Sequence, residues 1–357
     1  MRRTPLDAVH SGVHVRWMDA DGWAVPADFG APDAEYAALR DGAGLLDLSL
    51  RGKLRLTGAD RSTFLHNMLS NDVLALRPGH GCNAAKLSLQ GKMEGALHVL
   101  CLEDALWCDV DPGAAAHVLE GLRKHLIMED AKIEDVSDEW ALVALQGPQS
   151  THVLAAAGAV APAPGAALDH QPARIGDATV RVVRNDHCGA GGFDLWIEAA
   201  DAAAVWYALV AAGARPVGLA ALDVRRIEAG IPWFGSEITG EQFPQEAGLE
   251  AGWISYTKGC YLGQETISRL HHLGHVNRAL CGLHLGTGAG AVPARGAELY
   301  AGDRRVGSVT SATFSAHLKH AVALAYVHRE YAAPGTALEV VEGATRSVAV
   351  VALLPLA

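Results

Sequence analysis

Apolar and polar residues alternate over residues 53 to 57 (KLRLT), a period of two that predicts a strand. After Asp60, which is suited to cap a helix, the period lengthens, and Phe64, Leu65, Met68 and Leu69 recur at helical spacing. Further on, ALHVLCL and ALWCDV flank Glu103-Asp104 as a hairpin, and Asp111-Pro112 opens a helix with Val118, Leu119, Leu122 and Leu126 on one face. The mixture then repeats: ALVAL at 141 to 145, a GPQS turn, a short helix, strands around TVRVVR and GGFDLWIE, and a helix near 201 to 212. AVAPAPGAA at 159 to 167 reads as a surface connection, and a further helix is expected over 219 to 229.

From about residue 281 the texture changes to short β-rich segments separated by glycines, which predicts a small closed or sandwich-like β domain. The pattern as a whole predicts an α+β chain: a first module over 1–140, a similar second module over 141–280, and a β domain over 281–357. A length of 357 residues gives each part enough chain for its own core.

The net charge of -11 argues against a nucleic-acid backbone or an anionic membrane as partner. Two arginines open the chain without an apolar stretch behind them, and no window approaches a membrane span, so a cytoplasmic protein is expected. The six cysteines, at 82, 101, 108, 188, 260 and 281, form no CxxC pair, as expected of reduced thiols with no structural metal.

Motifs for a serine hydrolase elbow, a phosphate loop and a zinc protease are absent. The glycine run at 286 to 290 reads as a linker rather than a phosphate cradle. His271 and His275 share a spacing that invites a metal site, yet Gly274 between them weakens the helix and favours surface histidines.

The densest chemistry is SYTKGCYLGQETISRL, residues 255 to 270. Gly259 and Gly263 permit sharp turns, and in an extended segment Lys258 would favour the thiolate of Cys260. The competing reading makes Cys260 a small buried hydrophobe. Gln264 and Glu265 either orient a polar group or begin a helix continued by Thr266, Ile267, Arg269 and Leu270.

Nearly the whole chain resembles the folate-binding family that includes GcvT, the glycine-cleavage aminomethyltransferase, and YgfZ. The resemblance is carried by AGLLDLSLRGKLRLTGAD (43 to 60), FLHNMLSNDV (64 to 73), LQGP (145 to 148), RRIEAGIPWFGSEI (225 to 238) and GSVTSATFSAHLKHAVALAYV (307 to 327). Within the family, KGCYLGQE (258 to 265) and QGKM (90 to 93) resemble YgfZ marks. The resemblance implies two intertwined α+β modules around a central folate cavity, closed by a C-terminal β-barrel. It also implies tetrahydrofolate, or a one-carbon-substituted folate, as cofactor, with Asn67, Lys92 and Arg226 as candidate contacts.

Where GcvT-like enzymes carry an acidic pair, this chain has Gly95 and Ala96; Ala190 stands at a pterin-binding glutamate and Leu222 at an arginine. The resemblance therefore implies an accessory protein that binds folate without aminomethyl transfer and supports iron–sulfur enzymes, with iron–sulfur assembly factors or client enzymes as partners. In that reading Cys260 is essential, Lys258 assists it, and Gly259, Tyr261, Gly263, Gln264, Glu265 and Arg269 shape the loop. The alternative is a GcvT-type folate-dependent aminomethyltransferase or demethylase; a third reading keeps a folate-shaped scaffold without a ligand.

Overall fold

KLRLT lies in strand Gly52–Thr57, fourth in a five-stranded sheet ordered Gly81–Leu87, Met93–Cys101, Leu106–Val110, Gly52–Thr57, Lys132–Asp135. Leu54 and Leu56 are buried, as the alternation requires, but so is Lys53. Its Nζ donates to the carbonyls of Ser49 at 2.8 Å and Arg51 at 2.9 Å, and burial pushes its pKa down to about 8. The expected hairpin forms, with His98 directly opposite Asp109. Helix Arg61–Met68 buries Phe64, Leu65 and Met68. Asp60 occupies its N-cap position without bonding the helix; its carboxylate instead accepts from the Asp130 amide at 2.8 Å.

Residues 1–286 and 292–357 are described by this computed structural model, so four of the five residues of the glycine run at 286 to 290 lie outside the described residues. The chain divides into two units. The first comprises Met1–Lys86, Glu94–Asp223 and Gly252–Leu262, and the second Leu87–Met93, Val224–Ala251 and Gly263–Ala357.

Within the first unit a second sheet of six strands runs His170–Ile175, Ala178–Arg184, Gly192–Glu198, Trp140–Gln146, Gly44–Asp47, Arg215–Pro216. Strand Gly44–Asp47 pairs antiparallel with Trp140–Gln146, so a strand from early in the chain completes a sheet otherwise built by later residues. This strand exchange is what intertwines the α+β modules. Leu45, Val143, Leu195 and Trp206 belong to the core beneath it. A small sheet of Arg2–Arg3, Trp23–Asp28 and Arg16–Ala20 has no counterpart in the periodicity reading. All six residues of Trp23–Asp28 are buried, which removes the alternation that marks a one-faced strand.

The second unit contains a closed six-stranded barrel in the order Arg278–Leu285, His320–His328, Arg304–Ser315, Glu298–Ala301, Ala337–Glu342, Thr345–Ala352. Closure comes from the last strand pairing with the first, Gly282 opposite Ala352. Leu283, Leu299, Val309, Ala323, Ala325 and Val340 belong to its core. The α+β fold with a C-terminal barrel, expected from the resemblance, is thus the observed architecture. No helix among the described residues is long and apolar enough to cross a membrane.

Candidate functional site

Because side chains alternate along a strand, Leu106–Val110 presents Trp107 and Asp109 on one face, and Gly192–Glu198 presents Asp194 and Trp196 on one face. Trp107 packs on Trp196 and Trp140, with ring centroids 5.1 and 4.5 Å apart. Polar groups lie two residues along each strand. Asp109 accepts from Arg51 Nε at 2.6 Å and pairs with Nδ1 of His98 at 2.9 Å, while Arg51 also reaches Asp111 at 2.5 Å. Asp194 accepts from Asn185 at 2.8 Å and pairs with Nε2 of His187 at 2.9 Å. Asn185 Nδ2 lies 3.3 Å from His98 Nδ1 and from His187 Nε2, so the amide sits between the two aspartate–histidine pairs. Gln146 braces this arrangement, accepting from the His187 amide at 2.9 Å and donating to the Asn185 carbonyl at 3.0 Å.

Burial alone would raise the pKa of Asp109, but the Arg51 guanidinium and the bond to His98 hold it far below the usual carboxylate range. A permanently ionised Asp109 can only accept. It therefore fixes the proton of His98 on Nδ1 and leaves a lone pair on Nε2. Among the described residues that Nε2 has no hydrogen-bond partner, and the His98 side chain is 15 % exposed. The ring of Trp253 stands 6.1 Å from it. For His187, burial would lower the pKa, and the charge and hydrogen bond of Asp194 outweigh it and raise it.

Sequence reasoning passed over these residues. The available signal was a histidine and an aspartate inside the otherwise apolar strands ALHVLCL and ALWCDV, where a buried polar group needs a partner.

KGCYLGQE crosses from the first unit to the second between Leu262 and Gly263. Lys258 is buried, and its Nζ donates to the carbonyls of His66 in the last turn of helix Arg61–Met68 and of Leu69 and Asn71 just past it, at 2.6 Å to Leu69 and 2.9 Å to Asn71. The ammonium thus supplies donors where a helix end leaves carbonyls unpaired. Burial pushes its pKa down to about 8. The Tyr261 ring lies 4.8 Å from the same Nζ, while its hydroxyl is buried without a partner among the described residues. Cys260 is exposed, which rules out the packing reading.

Gly263 has φ +83°, and a Cβ there would sit 2.4 Å from the Ser88 carbonyl, so the position demands glycine. Gly259 meets no such constraint: the nearest atom to an added Cβ is His66 Nε2 at 4.0 Å. Gln264, Glu265 and Arg269 lie on helix Gln264–Leu273. His271 of that helix binds Glu250 at 2.6 Å, and His275 lies beyond its end. Among the described residues no group of three histidine, cysteine or acidic side chains is placed to hold a metal.

Asn67 is exposed in the first unit and its carbonyl accepts from the Leu262 amide at 3.1 Å. In the second unit, Lys92 donates to the Glu241 carbonyl at 2.8 Å and lies 3.4 Å from the centre of the Phe243 ring. There too Arg226 is buried between Glu237 and Ser311. Gly95 is closed to side chains, since a Cβ would come within 2.3 Å of Val118 Cγ2, and Ala96 and Leu222 are buried.

The comparisons agree from end to end. Residues 6–255 match the GCVT N-terminal domain and residues 278–356 the glycine cleavage T-protein C-terminal barrel domain. An aminomethyltransferase of Saccharopolyspora erythraea is 33% identical, the match covering 99% of this chain and 97% of the relative. One from Rubrobacter xylanophilus is 32% identical over 92% of this chain and 88% of the relative. The crystal structure of glycine cleavage system aminomethyltransferase T from Bartonella henselae superposes with a TM-score of 0.88 at 24% identity, covering 100% of this chain and 98% of that one, and so speaks for the fold. None of these names speaks of an iron–sulfur role. The chain belongs to the GcvT family, whose aminomethyltransferases use tetrahydrofolate.

Proposed function

We propose that this protein is a GcvT-type aminomethyltransferase that passes an amine-bound one-carbon unit to tetrahydrofolate as acceptor. The observation carrying this reading is identity above 30% to aminomethyltransferases along nearly the whole chain. The expectation of no transfer rested on four positions, 95, 96, 190 and 222, and it yields to a likeness that spans every module. Groups present in the first unit suit a reduced folate in kind: the Trp253 ring for the pterin face, and for its polar edge the buried Tyr261 hydroxyl, which has no protein partner among the described residues. Arg226 and Lys258 already have protein partners, so neither is proposed as a folate contact.

The test supplies the purified protein with tetrahydrofolate and the other glycine-cleavage components. Release of ammonia with formation of methylenetetrahydrofolate supports the reading. No binding heat at millimolar tetrahydrofolate, together with no product, overturns it. An iron–sulfur accessory role draws on one observation, the exposed thiol of Cys260 within KGCYLGQE.

A further inference from the structure

We propose that His98, oriented by Asp109, is the group that moves the proton during transfer, in place of the carboxylates that positions 95, 96 and 190 lack. The inference rests on the transferase reading above and adds a catalytic residue to it.

Strand geometry supplies the first argument. Gly95 and Leu97 face helix Pro112–His125, where Val118 leaves no room for a side chain at 95. Ala96 and His98 lie on the opposite face of the same strand, two residues apart. His98 is therefore the next side chain along the face that Ala96 leaves without a functional group.

Orientation supplies the second. Asp109, directly across the ladder, bonds Nδ1 at 2.9 Å and is itself held by Arg51 at 2.6 Å. A carboxylate behind an imidazole fixes its tautomer and makes the distal nitrogen a better base. Asn185 and Trp253 lie beside the ring, so it is positioned on several sides while Nε2 stays without a partner among the described residues.

The chemistry balances without an external reagent. Nε2 takes the proton that the acceptor's secondary amine loses as its nitrogen bonds to the transferred carbon. The bond from that carbon to the leaving group breaks, the electron pair departs with the leaving group, and Nε2 returns the proton to it. That first substitution costs one N–H and protonates one leaving group; a second, at the acceptor's other N–H, closes the methylene bridge as the remaining group leaves, so two N–H are lost, the amine departs as ammonia, each leaving group gains one proton, and His98 ends as it began. An imidazole suits both halves because one ring nitrogen can accept the proton and give it back while the other stays bonded to Asp109. The charged and titratable groups around it are Asp109, Asp111, Arg51 and Lys53 on its own sheet side, and His187 and Asp194 facing them.

The experiment compares the full-length protein with His98→Gln and Asp109→Asn. It measures tetrahydrofolate binding by calorimetry, single-turnover transfer against pH, and ¹⁵N imidazole spectra. His98→Gln is expected to bind tetrahydrofolate within ~3-fold of the parent, lose transfer by ~100-fold or more, and lose the rise of rate with pH. The parent spectrum is expected to show His98 protonated on Nδ1, and Asp109→Asn, a positioning variant, to lose that tautomer and shift the pH profile. A His98→Gln protein that keeps the pH-dependent rise at a rate within ~5-fold overturns the inference alone, as does a parent His98 protonated on Nε2. Because the spectrum needs no variant, misfolding of His98→Gln leaves the inference open to refutation. A parent that neither binds tetrahydrofolate nor turns over overturns the transferase reading, and this inference with it.

Discussion

In the second unit, Arg226 donates to Glu237 at 2.6 Å and to Ser311 at 2.7 Å, and the Ser311 hydroxyl donates on to Glu237 at 2.6 Å. The adjacent Arg225 pairs with Glu228, whose carboxylate accepts from Ser315 at 2.6 Å. In the first unit, Asp109 and Asp194 are equally buried and equally well paired, but each histidine they hold has a second ring nitrogen without a partner among the described residues. In the first arrangement the carboxylates are held by protein donors, and the bonds of Arg226 and Ser311 tie the helix carrying Arg226 to a barrel strand. The second is closed toward the protein and open at Nε2 of His98. Burial and ion pairing are common to both, so neither property by itself marks a functional site. What sets His98 apart is that its part-exposed ring keeps one nitrogen without a partner among the described residues while Asp109 holds the other.

The comparison breaks most severely at Glu237. Glu237→Ala removes the carboxylate paired with buried Arg226, and removing one member of a buried pair costs about 3–5 kcal/mol. The urea midpoint of the second unit should fall accordingly, and a loss below ~1 kcal/mol would show that the pair is not the clamp the geometry suggests.

Lys258 is a first-unit charge that follows the second unit's rule, with its ammonium protons placed on carbonyls. Lys258→Met keeps the length of the side chain and strips the helix end of its donors, so a loss of about 2–3 kcal/mol is expected. A neutral result by chemical denaturation would mean that water replaces the ammonium there.

Protonation gives a milder perturbation. Burial, with Arg181 beside it, pushes the pKa of His170 down to about 4, and Arg181 donates to its Nδ1 at 2.9 Å. Between about pH 6.5 and 4 the unfolded chain binds the proton first, so stability falls as the pH falls through that window and is fully present above it. A tenfold difference in proton affinity between the folded and unfolded chains corresponds to ~1.4 kcal/mol, which sets a ceiling of about 3 kcal/mol on the whole effect. His170→Gln should flatten the dependence in a pH series of urea melts, and an unchanged slope would assign the acid loss elsewhere.

These cases also show what the chain discloses before folding. Strands with one wet face and helices with one apolar stripe were legible, since periodicity records a single buried face. Trp23–Asp28, buried on both faces, had no such record. KGCYLGQE stood out by composition, yet the positions of Lys258 and Gly263 are explained by a helix end and a left-handed turn against Ser88. His98 and Asp109 stood out least because pairing across a ladder depends on register, which no local pattern states.

The smallest structural effect is expected at Cys260, and it separates the two functional readings most cleanly. The thiol is exposed, so Cys260→Ser should change stability by less than ~0.5 kcal/mol. Burial pushes Cys82 up to about 12 and Cys281 up to about 11 and raises Cys108 as well, so iodoacetamide at pH 7.5 should modify Cys260 in the folded protein well before these three. If the protein acts as an aminomethyltransferase through His98, Cys260→Ser should retain tetrahydrofolate binding and transfer within ~3-fold. If it serves iron–sulfur enzymes through this thiol, the variant should fold and bind folate normally yet fail to restore those enzymes in a deletion strain. A midpoint of the labelling rate near the free-cysteine value of ~8.5 would show that Lys258, bound to carbonyls rather than free, does not activate the thiol.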